Sequence, residues 1–419
     1  MILTRSRKFP PSLSGLSSSN REKFLIQIIA LMPLCLYLGR AIFYIDFFIL
    51  IFLFFTLSFK ESFRGNKFDP LFITVSIYFF LTFVVNIIPT KYSQLDDIGA
   101  QISVALMTLT VCYISQHLFM KSKNYYKNKL YAVRVLSLSL FIASFFLLVS
   151  YSIDINIIHS IKYQKIVKFV HSSYHAKYSY LSVGSCFLLF NYFKFPSFFS
   201  GLFVVSFFLA AVASQGRTAI ITIVLSGIVY AWISARKKRE FLLYTLIVAM
   251  LLFLLLLVSY ISSGNPFSFS DIHSSARISG SIEYIKYIND NSPVLGLGLG
   301  AGRFLREQGV VPYGSPHNIF LDAFATMGWA GLIVFTVFLI VWLVDIFKLY
   351  KKNTDPHQRA LLVSTFFAVL VAGQAYLSIW SKHNMVLAFF YFYLAISFAQ
   401  LRDRNEQDSE DALVASEAD

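Results

Sequence analysis

Apolar runs of about 20 residues, the length needed to cross a bilayer as a helix, recur along most of the chain with short polar segments between them. They fall at roughly 24–39, 41–59, 70–89, 99–120, 131–153, 178–193, 196–214, 218–234, 241–262, 329–349, 360–380 and 384–401. This pattern predicts an all-α polytopic membrane protein with about 12 transmembrane helices. The first two runs are separated only by Arg40, so they are expected to form a tight hairpin. The one long polar interruption, from Ser263 onward, precedes the third-to-last run and predicts a large helical loop over 263–317.

Composition agrees with the pattern. The chain is 57% hydrophobic and 14% charged, where a soluble domain is nearer half apolar and a quarter charged. The 45 phenylalanines are expected as lipid-facing bulk. No internal repeat is visible, and no polar segment is large enough for a core of its own. The whole of 1–419 therefore reads as a single membrane domain. The first 23 residues are polar and basic, and the following apolar run lacks a small-residue cleavage site, so it reads as a retained span, not a cleaved signal. Residues 402–419, rich in Glu, Asp, Ser and Ala, read as a disordered tail.

Charge sets the orientation. With the N-terminus in the cytoplasm, 24 of the 36 Lys and Arg residues fall in cytoplasmic segments and 12 on the opposite side. Both termini are then cytoplasmic, and the 263–317 loop is periplasmic. The basic segment 154–177 runs against the bias. It reads either as a solvated loop touching anionic headgroups or as a guide surface for an anionic lipid. The positive charge flanks spans and implies membrane lipids as partners, not nucleic acid. Cys35, Cys112 and Cys186 sit in apolar runs without zinc spacing and are expected to be free.

Candidate chemistry gathers at the ends of spans and in the large loop. Arg217, in Ser214-Gln215-Gly216-Arg217-Thr218-Ala219, is either a snorkelling anchor or a guanidinium free to fork onto a phosphate. Apolar residues at 278, 282, 285 and 288 predict a short amphipathic helix capped by Ser274 or Ser275, with Arg277 in its first turn. A cation there opposes the helix dipole, which points to an anion partner, either a ligand or Asp271 or Glu283. Gly296, Gly298, Gly300 and Gly302 precede Arg303. They fit neither the dinucleotide fingerprint nor a Walker loop, and read as a close-packed backbone path or a flexible connector. Ser315-Pro316 predicts a helix start that would put His317 and Asn318 in the first turn, beside outward-facing amides suited to an anion. Gly328 and Gly331 are expected to let the next span pack closely on a neighbour. Asp96-Asp97 is a possible divalent-ion pair but reads as a solvated loop. No metal site or cofactor is expected.

Together these residues resemble the O-antigen ligase/polymerase superfamily of bacterial envelope enzymes. The resemblance rests on Gly216-Arg217-Thr218-Ala219, on Arg277 in a loop helix, on Pro293-Val294-Leu295-Gly296-Leu297-Gly298, and on Pro316-His317-Asn318-Ile319-Phe320-Leu321 running into Met327-Gly328. It implies a metal-independent, inner-membrane glycosyltransferase acting at the periplasmic face. The donor would be a glycan on undecaprenyl pyrophosphate and the acceptor a hydroxyl of lipid A-core or of another glycan. It further implies that Arg217 and Arg277 bind the pyrophosphate and that His317 is essential, with Arg303, Asn318, Gly296 and Gly298 completing the substrate-binding set. An O-antigen ligase is the function implied first, with repeat-unit polymerase as the alternative. Many ligases carry a second histidine two residues before the motif histidine, where this chain has Ser315, a departure that favours polymerase.

The residues alone support the same chemistry. Cations stabilise charge on a departing pyrophosphate, and a neutral imidazole suits a general base. His317 is the candidate base, or else a phosphate positioner, and Asp271, Glu283, Asp290 and Glu307 are alternative bases. A transporter or flippase would carry more polar residues at mid-membrane than Asp46 and Gln374. A structural scaffold would leave Arg217, Arg277 and His317 unexplained.

Overall fold

The computed structural model of the protein describes residues 18–38, 40–62, 72–73, 75–77, 79–81, 95–122, 124–157, 181–213, 217–235, 272–298, 305–311, 318–373 and 382–399. The predicted span at 241–262 lies outside them, as do most of 70–89, the segment 158–180 and the tail. The helices are α1 (Ser18–Leu38), α2 (Arg40–Ser62), α3 (Leu95–Gln116), α4 (Tyr125–Ile157), α5 (Ser185–Lys194), α6 (Phe198–Ala213), α7 (Arg217–Ser234), α8 (Ile272–Asn291), α9 (Ile319–Lys352), α10 (Pro356–Gly373) and α11 (Lys382–Ala399). No strand occurs among the described residues.

Among the described residues three stretches are individually long and apolar enough to cross a membrane: Ile102–Met120, Tyr125–Val149 and Ile319–Lys352. Shorter apolar helices lie at Ile42–Phe54, Phe198–Ala211, Ala219–Ser234 and Val386–Ala399. The protein is thus a helical membrane protein, its backbone hydrogen bonds closed within helices as a bilayer requires. Asp96 and Asp97, expected in a loop, instead lie in the first turn of α3.

The core corrects the expectation for phenylalanine. Sixteen described Phe residues are buried and ten are prominently exposed, so they fill the helix interfaces as well as facing outward. Trp342 of α9 stacks on Phe392 of α11 at 4.0 Å and meets Phe389 at 5.4 Å and Phe366 of α10 at 6.4 Å. Small polar groups serve the same interfaces: Ser185 of α5 and Ser226 of α7 lie 3.4 Å apart, both buried. In lipid such pairs help hold helices that gain little from the hydrophobic effect. No described cysteine forms a disulfide; Cys112 and Cys186 are buried and Cys35 is half-buried.

Polar contacts collect at one end of the bundle. The Glu22 carboxylate accepts from Ser122 Oγ at 2.7 Å, Asn128 Nδ2 at 3.1 Å and Asn124 Nδ2 at 3.3 Å. Buried Lys129 donates to the Ser397 carbonyl. Lys194 pairs with Asp355 at 2.8 Å, Asn353 Nδ2 donates to the Phe398 carbonyl at 3.4 Å, and Tyr230 Oη lies 3.4 Å from His357 Nδ1. These residues belong to, or border, the segments that the Lys and Arg count placed on one side. We call this the basic end. The loop carrying α8 is at the opposite end.

Candidate active site

α9 organises the loop end. Its 34 residues would extend about 51 Å as an unbroken helix, well beyond a hydrocarbon core of about 30 Å. The helix is broken at Gly328, whose φ of 62° and ψ of −152° are non-helical. The predicted span start at 329 thus coincides with the break, and the preceding turns, Ile319–Met327, are the helix that carries the motif. One face of that piece, Ile319, Ala323 and Met327, joins the main core. Another, Leu321, Phe324 and Ala325, joins a separate apolar cluster with Tyr284 and Ile288 of α8, Leu297, Leu305 and Val311. The loop thus shares a small apolar cluster with α9, built on the first turns of that helix.

The glycine series closes this arrangement through backbone. Leu297 N–H donates to the Ala325 carbonyl at 2.8 Å and Gly298 N–H to the Thr326 carbonyl at 3.1 Å. In the other direction Trp329 N–H donates to the Pro293 carbonyl at 2.8 Å and Ala330 N–H to the Val294 carbonyl at 3.2 Å. The loop thus pairs with the groups that the break in α9 leaves without helical partners. Gly296 sits against Gly328: a Cβ on Gly296 would lie 2.4 Å from Gly328 N, and one on Gly328 would lie 2.4 Å from the Pro293 carbonyl. Of the two readings of these glycines, the close-packed path is the one found for Gly296 and Gly298. Gly328 and Gly331 were expected to admit a neighbouring span. Instead Gly328 admits the loop, and a Cβ on Gly331 would meet Met327 and Ala323 of its own helix.

Two local expectations need correction. Asn318, not Ser315, caps α9, with φ −140° and ψ 127°. Its Oδ1 accepts from Phe320 N–H at 2.9 Å and Leu321 N–H at 3.1 Å, and its carbonyl accepts from Asp322 N–H at 2.8 Å. Asn caps as well as Ser does, and this one lies nearer the first buried residue. His317 thus precedes the cap, and the amides that Asn318 engages are those of Phe320 and Leu321. Second, α8 begins by Ile272, so Arg277 lies in its second turn. Its buried face runs through Gly280, Tyr284 and Ile288, while Ile282 and Ile285 are exposed.

The side chains of Arg217 and Arg277, and residues 303 and 317 entirely, lie outside the described positions. The backbone nevertheless brings the Arg217, Arg277 and Asn318 positions to one end. Tyr230 and His357 meet at the basic end. From there α7 runs back to Arg217 and α10 runs out to Gly373, rising about 20 Å and 24 Å at 1.5 Å per residue. At that end a Cβ on Gly373 would touch Ile319 at 3.3 Å, the residue after the Asn318 cap, and α8 packs on the same turns of α9.

One acidic residue was missed as a candidate. Asp322 is buried in the first turn of α9. Burial and the Asp322 carboxylate both push the Tyr284 phenol up, against the opposing Arg306 guanidinium. The sequence signal was the placement of Asp322 four residues after Asn318, within the motif itself. Among the described residues no group of three His, Cys, Asp or Glu side chains converges.

The architecture is that of a helical membrane protein with a structured loop clasped to a broken helix. Residues 202–336 match the family model for O-antigen ligase, and over that stretch the chain is similar to the ligase/polymerase superfamily. The match runs from α6 through the loop and past the break in α9. A search of curated proteins gives no match.

Proposed function

We propose that the protein is an inner-membrane O-antigen ligase, moving a glycan from undecaprenyl pyrophosphate to a sugar hydroxyl of lipid A-core at the periplasmic face. The observation carrying this reading is the family match, which encloses Arg217, Arg277, Arg303 and His317 in one stretch. In the proposed reaction the bond between the anomeric carbon and the pyrophosphate oxygen breaks and the acceptor oxygen bonds to that carbon. Arg217 and Arg277 stabilise charge on the leaving oxygen. His317 takes the acceptor proton, and Arg303 adds a further cation. No metal or cofactor is invoked. Gly296 and Gly298 act by clasping the loop to α9, and Asn318 by setting where the chain enters the helix after His317.

The loop is read as periplasmic, both termini as cytoplasmic and the span count as about 12, from the apolar runs and the Lys/Arg asymmetry. A topology reporter fused at Asn291 is expected to read periplasmic and one at Lys237 cytoplasmic. Reversal of either result contradicts the orientation.

Repeat-unit polymerase is the second reading, favoured by Ser315 in place of a second motif histidine. The lipopolysaccharide banding of a deletion strain separates the two. A ligase deletion leaves core without O-chain and accumulates lipid-linked polymer. A polymerase deletion leaves core carrying a single repeat. An unchanged pattern contradicts both.

A further inference from the structure

α8 has three distinct sides. Gly280, Tyr284 and Ile288 are buried, and the last two pack on α9. Glu283, Lys286 and Asp290 form an exposed charged side. Between them on the helical wheel lie Ile282, 60% exposed, and Ile285, 42% exposed. The same helix leads into the turn that bears Val294, 63% exposed, and Leu295. Exposed isoleucines and a valine beside the charged side of α8 call for a partner.

The clasp indicates which partner. Val294 is tied directly to the break in α9, its carbonyl accepting from Ala330 N–H, and the neighbouring Pro293 carbonyl accepts from Trp329 N–H. Trp329 begins an exposed apolar stripe down α9 through Ile333, Val337, Ile340, Val344 and Phe347. Their spacing of three or four residues gives one helix face, and α9 is a candidate span. That stripe is the surface a membrane helix turns to acyl chains. Val294 and Leu295 continue it upward, and Trp329 stands at the junction, where tryptophan commonly marks the membrane–water interface.

We infer that α8 and the 293–295 turn rest in the bilayer surface, with Ile282, Ile285, Val294 and Leu295 inserted among the lipids and Glu283, Lys286 and Asp290 facing water. A helix with one apolar and one charged side lies in the interface plane in this way. The seat holds the start of α9 at headgroup depth, the level at which a lipid-linked pyrophosphate would present its charge. That consequence rests on the proposed function. The seat itself rests only on geometry.

The test uses the full chain in phosphatidylcholine vesicles, with single cysteines labelled by an environment-sensitive fluorophore and the chain without added cysteine as background. Ile282→Cys, Ile285→Cys and Val294→Cys are compared with Glu283→Cys and Asp290→Cys, and Val337→Cys marks the acyl region. Lipid carrying a nitroxide near the headgroup is expected to quench positions 282, 285 and 294 several-fold more than 283 and 290. Aqueous iodide should give the reverse order. Equal iodide quenching at all five loop positions overturns the inference. So does protection of 282, 285 and 294 from both quenchers, because that means a protein covers them. The readout is depth, not glycan transfer, so a failed transfer assay leaves this result standing, and the converse also holds.

Discussion

Gly328→Ala is expected to open the loop from α9 and to abolish transfer. The φ/ψ pair at this position is one that glycine alone adopts readily, and forcing another residue into it costs on the order of 1–3 kcal/mol. The added Cβ would also lie 2.4 Å from the Pro293 carbonyl and 2.6 Å from Gly296 N. Both are backbone atoms and cannot rotate away, which adds roughly 1–3 kcal/mol of overpacking. Gly296→Ala, at φ +70° and 2.4 Å from Gly328 N, should behave similarly. Gly309→Ala is the internal control, because it has the same φ of +70° but nothing within 4 Å of its added Cβ. It should cost only about 1–2 kcal/mol of conformational strain. The comparison is best read locally, as protease cleavage between 292 and 311, since a multi-helix membrane protein need not unfold in one step. Gly328→Ala and Gly296→Ala should be cleaved far faster than Gly309→Ala. Equal rates would mean that the clasp contributes nothing to holding the loop.

Arg217→Lys and Arg277→Lys are each expected to lower transfer severely, and the alanine variants at least as much. Lysine keeps the charge but loses the planar fork that fits a phosphate bidentately. Loss of one charge-assisted contact in a water-poor site raises the barrier by about 2–4 kcal/mol, a rate loss of roughly 30- to 1,000-fold. Membrane abundance should not change, because Arg217 stands at the first residue of α7 and Arg277 near the start of α8, where neither helix depends on it to form. Normal transfer by Arg277→Lys would leave a simple surface cation as its role.

Much of the fold was legible because bilayer physics writes it in long apolar runs and flanking charge. The contacts of Glu22, Lys129, Lys194 and Asn353 at one end link segments that the Lys and Arg count had already grouped. Other features were less visible, each for a local reason. An apolar run does not distinguish a lipid-facing phenylalanine from a core one such as Phe389 or Phe392. The face of α8 was misread because Gly280 and Tyr284, neither strongly apolar, are buried while Ile282 and Ile285 are exposed. Ser315-Pro316 is a good helix start in isolation, but the first buried residue of α9 is Ile319, and Asn318 caps there. The clasp joins Gly296 to Gly328, 32 positions apart, through main-chain groups that leave no periodic trace. Only the unusual glycine density hinted at it.

Transfer of glycan in vitro from purified lipid-linked donor, with the membrane abundance of each variant checked by blot, tests the central claim most directly. His317→Ala and Arg277→Ala, present at wild-type levels, are predicted to give no detectable product. If His317 is the base, wild-type activity should also fall at acid pH, where the ring already carries the proton it must accept. Near-normal transfer by both well-expressed variants would contradict the claim that the loop end of this protein is its catalytic centre.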